Sequence, residues 1–194
     1  MGKLIIAMSM SLDGFVTAAN PRMEEPTGDG GQVLTDWAMG DEHDLNRTFL
    51  AESIGNLGAV ICGRTTYDTS VPWWGADGPS GAARRPVFVV THHAPRESPD
   101  GGVYTFVTEG IESALKKAKA AAGGKDVTVM GGANLAQQYL KAGLIDDIQI
   151  HLVPVLFGAG TRLFDNLGSE HIRFEPIHVL DAPGVTHLRF RLAK

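Results

Sequence analysis

Between Val127 and Leu140 the sequence VTVMGGANLAQQYL changes its hydrophobic period, and that change limits what the chain can fold into. Val127 and Val129 alternate as in a buried strand, whereas Leu135, Ala136, Tyr139 and Leu140 recur at helical spacing. Gly131-Gly132 at the junction lets the backbone turn sharply and lets a ligand approach closer than a Cβ would allow. The helix that follows aims its unpaired N–H groups over the end of the strand, which favours phosphate. A tight βα turn also asks for glycine on conformational grounds alone, so both readings stand at this point.

The rest of the chain repeats the alternation. Leu4–Met10 is a nearly continuous apolar run, as in a strand buried on both faces, closed by the turn residues Ser11-Leu12-Asp13-Gly14. Phe15-Val16-Thr17 resumes it briefly. Ala18–Thr35, rich in Gly, Pro, Asn and acids, reads as a lid or substrate loop. Asp41–Ile54 reads as a helix with Leu45, Phe49, Leu50 and Ile54 inward. Strands are expected at Ala59–Cys62, Pro86–Thr91, Val103–Val107 and Ile145–Val155, a helix at Ile111–Ala122, and a loop over Ser70–Arg85. His171–Leu180 and Val185–Leu192 read as an antiparallel hairpin. The pattern predicts one α/β domain over residues 1–194, with a mostly parallel sheet, an antiparallel C-terminal hairpin and helices on both faces.

Charge and composition narrow the function. A net charge of −5 gives no footprint for nucleic acid or an anionic membrane. No apolar stretch is long enough to span a bilayer and no signal peptide is evident, so a cytoplasmic protein is expected. The single cysteine, Cys62, lies in an apolar run and reads as a core residue. His92 and His93 are adjacent and point to opposite faces of a strand, and no metal site is expected.

A second phosphate-compatible turn, Gly63-Arg64-Thr65-Thr66, follows the strand Ala59–Cys62. Its amides, hydroxyls and guanidinium suit phosphate oxygens, while Thr65 or Thr66 also fits a plain helix N-cap. Thr91-His92-His93, with Arg96 beyond, ends a third strand. Ligands of open α/β sheets bind outside such carboxyl ends, and three polar ends together suit a dinucleotide. The G-x-G-x-x-G fingerprint and its following acid are missing; Arg64, Arg96 and the histidines lean towards NADP rather than NAD.

Ala7-Met8-Ser9-Met10-Ser11-Leu12-Asp13-Gly14, Gly63-Arg64-Thr65-Thr66-Tyr67, the helix-opening Gly131-Gly132 and Gly160–Phe164 occur in an order and spacing that resembles the dihydrofolate reductase-like superfamily. Within it, the stretch LAQQYLKAGLIDDIQIHLVPVLFGAG is most similar to the RibD C-terminal domain, the reductase domain of bacterial riboflavin biosynthesis. The resemblance covers nearly the whole chain. It implies an eight-stranded, mostly parallel sheet and an NADPH-dependent reductase. It also implies that Ser9 and Val16 flank the nicotinamide, and that Gly63, Arg64, Thr65 and Thr66 meet phosphates. Thr91 and His92 would then face the adenosine, and Gly131, Gly132, Ala133, Asn134 and Leu135 the pyrophosphate.

The chain departs from riboflavin-pathway reductases in carrying Met130 where they have an acid, and Val71-Pro72-Trp73-Trp74 where they place arginines. Phe49, Trp73, Trp74 and Met130 are therefore expected to contact a small, flat, uncharged ring rather than a sugar phosphate. Hydride transfer also needs a proton source. The resemblance points to Asp44, one residue out of register with Phe49, for which a solvated helix-start acid is the plainer reading. His151, on the strand Ile145–Val155, is the other candidate, as a relay near neutral pH, against a plain structural histidine. The leading expectation is a reductase of a pterin- or pyrimidine-like heterocycle; the alternative is a non-catalytic nucleotide-binding or sensor domain on the same fold. The resemblance and the apolar hairpin further imply a homodimer; the alternative is that these side chains simply cover the core of a monomer.

Overall fold

A computed structural model describes residues 2–40 and 43–193. Its strands are β1 (Leu4–Ser11), β2 (Phe15–Thr17), β3 (Leu57–Gly63), β4 (Val87–Val90), β5 (Tyr104–Val107), β6 (Asp126–Val129), β7 (Asp147–Val153), β8 (Thr161–Arg162), β9 (Phe174–Ala182) and β10 (Val185–Leu192). The α-helices are α1 (Asp36–Met39), α2 (Asp44–Asn56), α3 (Arg64–Trp74), α4 (Ile111–Ala121) and α5 (Ala133–Lys141). Eight strands form one sheet in the order β5-β4-β3-β6-β1-β7-β10-β9, and β2 pairs with β8. The run from β5 to β7 is parallel. β10 and β9 close it antiparallel, as the alternation of elements predicts.

The period of two divides the sheet into two unlike faces. Leu4, Ile6 and Met8 of β1 pack with Ala59, Ile61, Val127, Val129, Ile148 and Ile150 beneath α4 and α5, which add Ala114, Ala118, Ala136 and Tyr139. The opposite face is apolar only on one side, where Val60 and Cys62 meet Tyr67, Val71 and Trp74 of α3. Towards β10 it turns polar, with Ser9, His151 and His187 in register across three strands. α2 lies on this side through Phe49, which stacks on His187 at 4.0 Å.

Two expectations need correction. Ser70–Arg85 is not a loop at its start, because α3 runs through Pro72 to Trp74. Pro72 lies in the last turn, and Tyr67, Val71 and Trp74 form an inward face that holds the helix down. Leu45 points outward, at 51% exposure, while Asn46 of the same helix is buried. The predicted start of α2 at Asp41 lies outside the described residues.

The segment predicted as a lid is bound to itself. The Ala18 amide donates to the Thr27 carbonyl at 2.7 Å and the Asp29 amide to the Ala19 carbonyl at 2.8 Å, while Arg22 pairs with Glu25 and Asp29. It then enters a 3-10 turn, Gly31–Leu34, and α1, which insert Leu34 and Trp37 beside Val153, Ala182 and Val185. At the opposite end of the sheet a buried carboxylate, Asp147, accepts from Lys3 Nζ at 2.7 Å and from Arg189 Nε at 3.0 Å. Burial alone would raise this carboxyl; the Lys3 and Arg189 hydrogen bonds outweigh it and hold the group below the usual range.

Leu34 tests how firmly the segment is anchored. With 1% of its surface exposed, Leu34→Ala is expected to cost about 2–5 kcal/mol in denaturant unfolding, the range for a filled core site. A cost under about 1 kcal/mol would mean that the segment is not anchored through this side chain.

Candidate active site

β3 and β6 lie side by side, so the two phosphate-compatible turns meet at one sheet edge. Gly63 is the N-cap of α3 and Gly132 that of α5, and neither helix has a side-chain cap. The plain capping role open to Thr65 or Thr66 is therefore not the one they fill. Thr66 instead faces the glycine pair: a Cβ at Gly131 would come within 2.4 Å of its methyl carbon. Gly131 and Gly132 also have φ of 75° and 83°, a region that L side chains rarely adopt. The chain after β3 leads to neighbouring β4, and the chain after β6 passes over β1 to β7. The crevice between two connections that diverge in this way is the usual ligand position of an open α/β sheet.

Arg64 extends this edge towards β4. Its Nε donates to both carboxylate oxygens of Asp68, at 2.7 and 2.8 Å, and its NH1 donates to the His93 carbonyl at 2.8 Å. Thr91 Oγ1 donates to the same carbonyl at 2.8 Å. Arg64 thus gathers the ends of β3 and β4, and its charge is shared with Asp68. Thr65 and His92 are exposed nearby. Ala133 and Leu135 of the α5 first turn are buried, and Asn134 is exposed and accepts from Gln138.

A cavity of about 350 Å³ lies between α2 and the sheet, with Phe49 and Ser53 on one wall and Ile5, Ala7, Thr128 and Gln149 on the other. It opens towards the amino ends of the strands, not at the phosphate turns. The strand period nevertheless links the two: Ala7 and Gln149 precede Ser9 and His151 by one repeat on the same face. Met130, just past β6, packs at the edge of the α3 cluster. Val16 of β2 packs on the main core, and Thr17 Oγ1 beside it is buried without a hydrogen-bond partner.

The polar end of this face is a cluster that the sequence does not announce. His151 Nδ1 lies 2.8 Å from His187 Nδ1, and His187 Nε2 lies 3.2 Å from Asn46 Oδ1. Trp37 closes over them, its ring 4.5 Å from His151 and its Nε1 donating to Ser9 Oγ at 3.0 Å. Burial, and then the neighbouring His187, push His151 down to about 3; burial, and then His178, push His187 down to about 4. His151 is therefore held neutral at pH 7, carrying one ring proton that its bond to His187 engages or faces, rather than the positive charge of an imidazolium. Pairing His151 with His187 requires knowing that β10 lies beside β7, which periodicity within either strand does not show.

Other expected contacts lie elsewhere. Asp44 is 91% exposed and pairs with Arg47 on the helix surface, as a solvated helix-start acid does. Trp73 and Trp74 stand at the far end of α3, roughly 15 Å along the helix from the phosphate turns. Trp74 packs in the α3 cluster and Trp73 faces solvent, so neither meets the groove. Asp13 shapes a turn: the Ser11 hydroxyl, outweighing burial, together with the Gly158 and Phe157 amides holds its carboxyl at about 2. Burial pushes the Cys62 thiol up to about 12, which makes it an inert core residue. Among the described residues no group of three or more His, Cys, Asp or Glu side chains could hold a metal ion, and no helix is long and apolar enough to cross a membrane.

The fold is a reductase-like α/β fold. The solved dihydrofolate reductase from Enterococcus faecalis, complexed with NADP(H) and RAB-propyl, superposes with a TM-score of 0.62 over 100% of this chain and 98% of its own, at 12% identity. Within that class the chain belongs to the RibD C-terminal domain family, which it matches over residues 2–188. A putative riboflavin biosynthesis protein from Shewanella sp. PV-4 is similar over 99% of both chains, with a TM-score of 0.69 and 22% identity. The uncharacterized protein YyaP of Bacillus subtilis (strain 168) is 23% identical over 171 residues, 84% of this chain and 80% of that protein.

The histidine pair makes stability depend on pH. Both folded values lie below the ordinary 6.5, so between pH 6.5 and about 4 the unfolded chain binds more protons. Stability is fully present above pH 6.5 and falls as the pH drops through that window. Thermal unfolding from pH 7 to 5 is expected to show this fall, with a shallower slope in His151→Phe. A slope equal to that of the unaltered chain would mean that His151 does not titrate there.

Proposed function

We propose that the chain is an NADPH-dependent reductase that delivers hydride to a small, flat heterocycle of pterin or pyrimidine type. The observation that carries this reading is the meeting of two uncapped helix N-termini at Gly63 and Gly132, across a Thr66–Gly131 contact with no room for a Cβ. Such a cradle suits a pyrophosphate. Arg64, Thr91 and His92 would hold the adenosine side, with Arg64 contributing less than a full charge because Asp68 shares it. Ser9 and Val16 would flank the nicotinamide, and the orphaned Thr17 hydroxyl offers a polar partner at that end. When bound, NADPH supplies the hydride. Phe49, Met130 and the cavity beneath α2 would receive the ring.

A second reading keeps the cradle without turnover. It is favoured by the outward Asp44 and the neutral His151, which leave no acid among the expected donors. NADPH oxidation against pterins, pyrimidines and quinones separates the two, since a binder consumes none.

Calorimetry tests the cradle itself. NADPH is expected to bind, and Gly132→Val to weaken binding by at least about tenfold through a side chain placed against the pyrophosphate, circular dichroism confirming the fold. Thr66→Val tests the same edge without changing a positive φ. Wild-type protein that binds neither NADPH nor NADH would end the assignment.

We also propose a homodimer through β9, the edge strand, whose Ile177 and Val179 are 40% and 61% exposed. Sedimentation at micromolar concentration should give twice 20.7 kDa; a single species at the monomer mass would exclude it under those conditions.

A further inference from the structure

The hydrogen bonds around His151 form a chain whose direction is fixed at its far end. The Pro183 carbonyl can only accept, so the Asn46 amide nitrogen that lies 3.3 Å away donates to it. That orients the side-chain amide and leaves Asn46 Oδ1 as an acceptor for His187 Nε2–H at 3.2 Å. A neutral imidazole carries one proton, so His187 Nδ1 is bare and accepts. His151 Nδ1, at 2.8 Å, must therefore be the donor. The single proton of His151 is then on Nδ1, the tautomer less favoured by free histidine, and its Nε2 presents a lone pair.

Nothing on the protein satisfies that lone pair. Among the described residues, His151 Nε2 makes no hydrogen bond. His151 as a whole is 7% exposed. The His151 ring is walled by the Trp37 ring, with centroids 4.5 Å apart, and by the near-perpendicular Phe49 ring, with centroids 5.5 Å apart. The Trp37 N–H is already given to Ser9. A buried acceptor left unpaired is costly, and one held open beside an aromatic wall and a cavity is suited to a donor that arrives with the ligand.

We propose that His151 Nε2 is the hydrogen-bond acceptor for a ring N–H of the substrate, held in that role by His187 and Asn46 as positioning residues. The proposal rests on the reductase reading of the groove and deepens it, because it selects heterocycles that present an N–H at the ring edge, as uracil-type and pterin-type rings do. His151 orients the ring through this bond and does not supply the proton of reduction.

Two measurements test it. Long-range ¹H–¹⁵N spectra of histidine-labelled protein report which ring nitrogen carries the proton. His151 is expected as Nδ1–H and His187 as Nε2–H, each assigned by its loss in His151→Phe or His187→Phe. Asn46→Leu, which offers no oxygen to His187, should release the pattern and let His151 move towards Nε2–H. In the second measurement, the protein is titrated with lumazine and with 1,3-dimethyllumazine, which lacks both pyrimidine N–H groups. The dimethyl compound should bind at least about tenfold more weakly, and His151→Phe should narrow that gap. A wild-type His151 protonated at Nε2, equal binding of the two compounds, or no binding of lumazine would each overturn the proposal. NADPH binding alongside any of these leaves the cofactor reading standing; absence of NADPH binding removes that reading and does not alter the tautomer result.

Discussion

Thr66 and Gly131 stand so close that only a hydrogen fits between the threonine methyl and the glycine Cα. This contact locks the start of α3 against the turn that launches α5, and it exists because β3 and β6 are hydrogen-bonded neighbours. Each turn alone is an ordinary βα junction. Side by side they aim two sets of unpaired amides at one point, and no side chain of either helix caps them. The sheet order does this, since segments distant in sequence become adjacent only once β6 inserts between β3 and β1.

The two faces divide the work. Beneath α4 and α5 the sheet is a continuous apolar core. On the opposite face, α3 covers Val60 and Cys62 closely, whereas α2 touches the sheet mainly through Asn46 and Phe49 and leaves a cavity below. A helix with so little apolar surface stays in place through specific polar and ring contacts, and those contacts are with the histidine pair. The groove remains open because its covering helix is not pulled down by a hydrophobic stripe.

Much of the fold was legible because it obeys local rules. The strands of the parallel core, α4, α5 and the C-terminal hairpin all follow from period and turn chemistry, and the glycine turn before Ala133 followed from its strand-to-helix setting. What was not legible depends on partners distant in sequence. Trp37 belongs to a four-residue helix with no sustained period, and its role appears only when Ser9 is beneath it. Leu45 is the residue that an apolar pattern would bury, yet Asn46 goes inward because Pro183 and His187 supply its bonds. Trp73 and Trp74 suggested a ring-binding wall by composition, but helix length carries them to the wrong end of the sheet. The histidine pair joins residues 36 apart, and neither strand alone implies it.

The placement of β1 has a consequence for how the molecule comes into being. This strand is made first, yet it lies between β6 and β7, and the buried Asp147 that Lys3 neutralises is separated from it by 144 residues. Until β7 and β10 have been synthesised, an apolar strand lacks a neighbour on one side and the carboxylate that anchors its start is not yet there. Contacts of such long range close late and expose unpaired strand edges while they wait. During synthesis the centre of this sheet is thus the last part to be finished, and the growing chain must carry an apolar strand uncovered until β6 and β7 have been made.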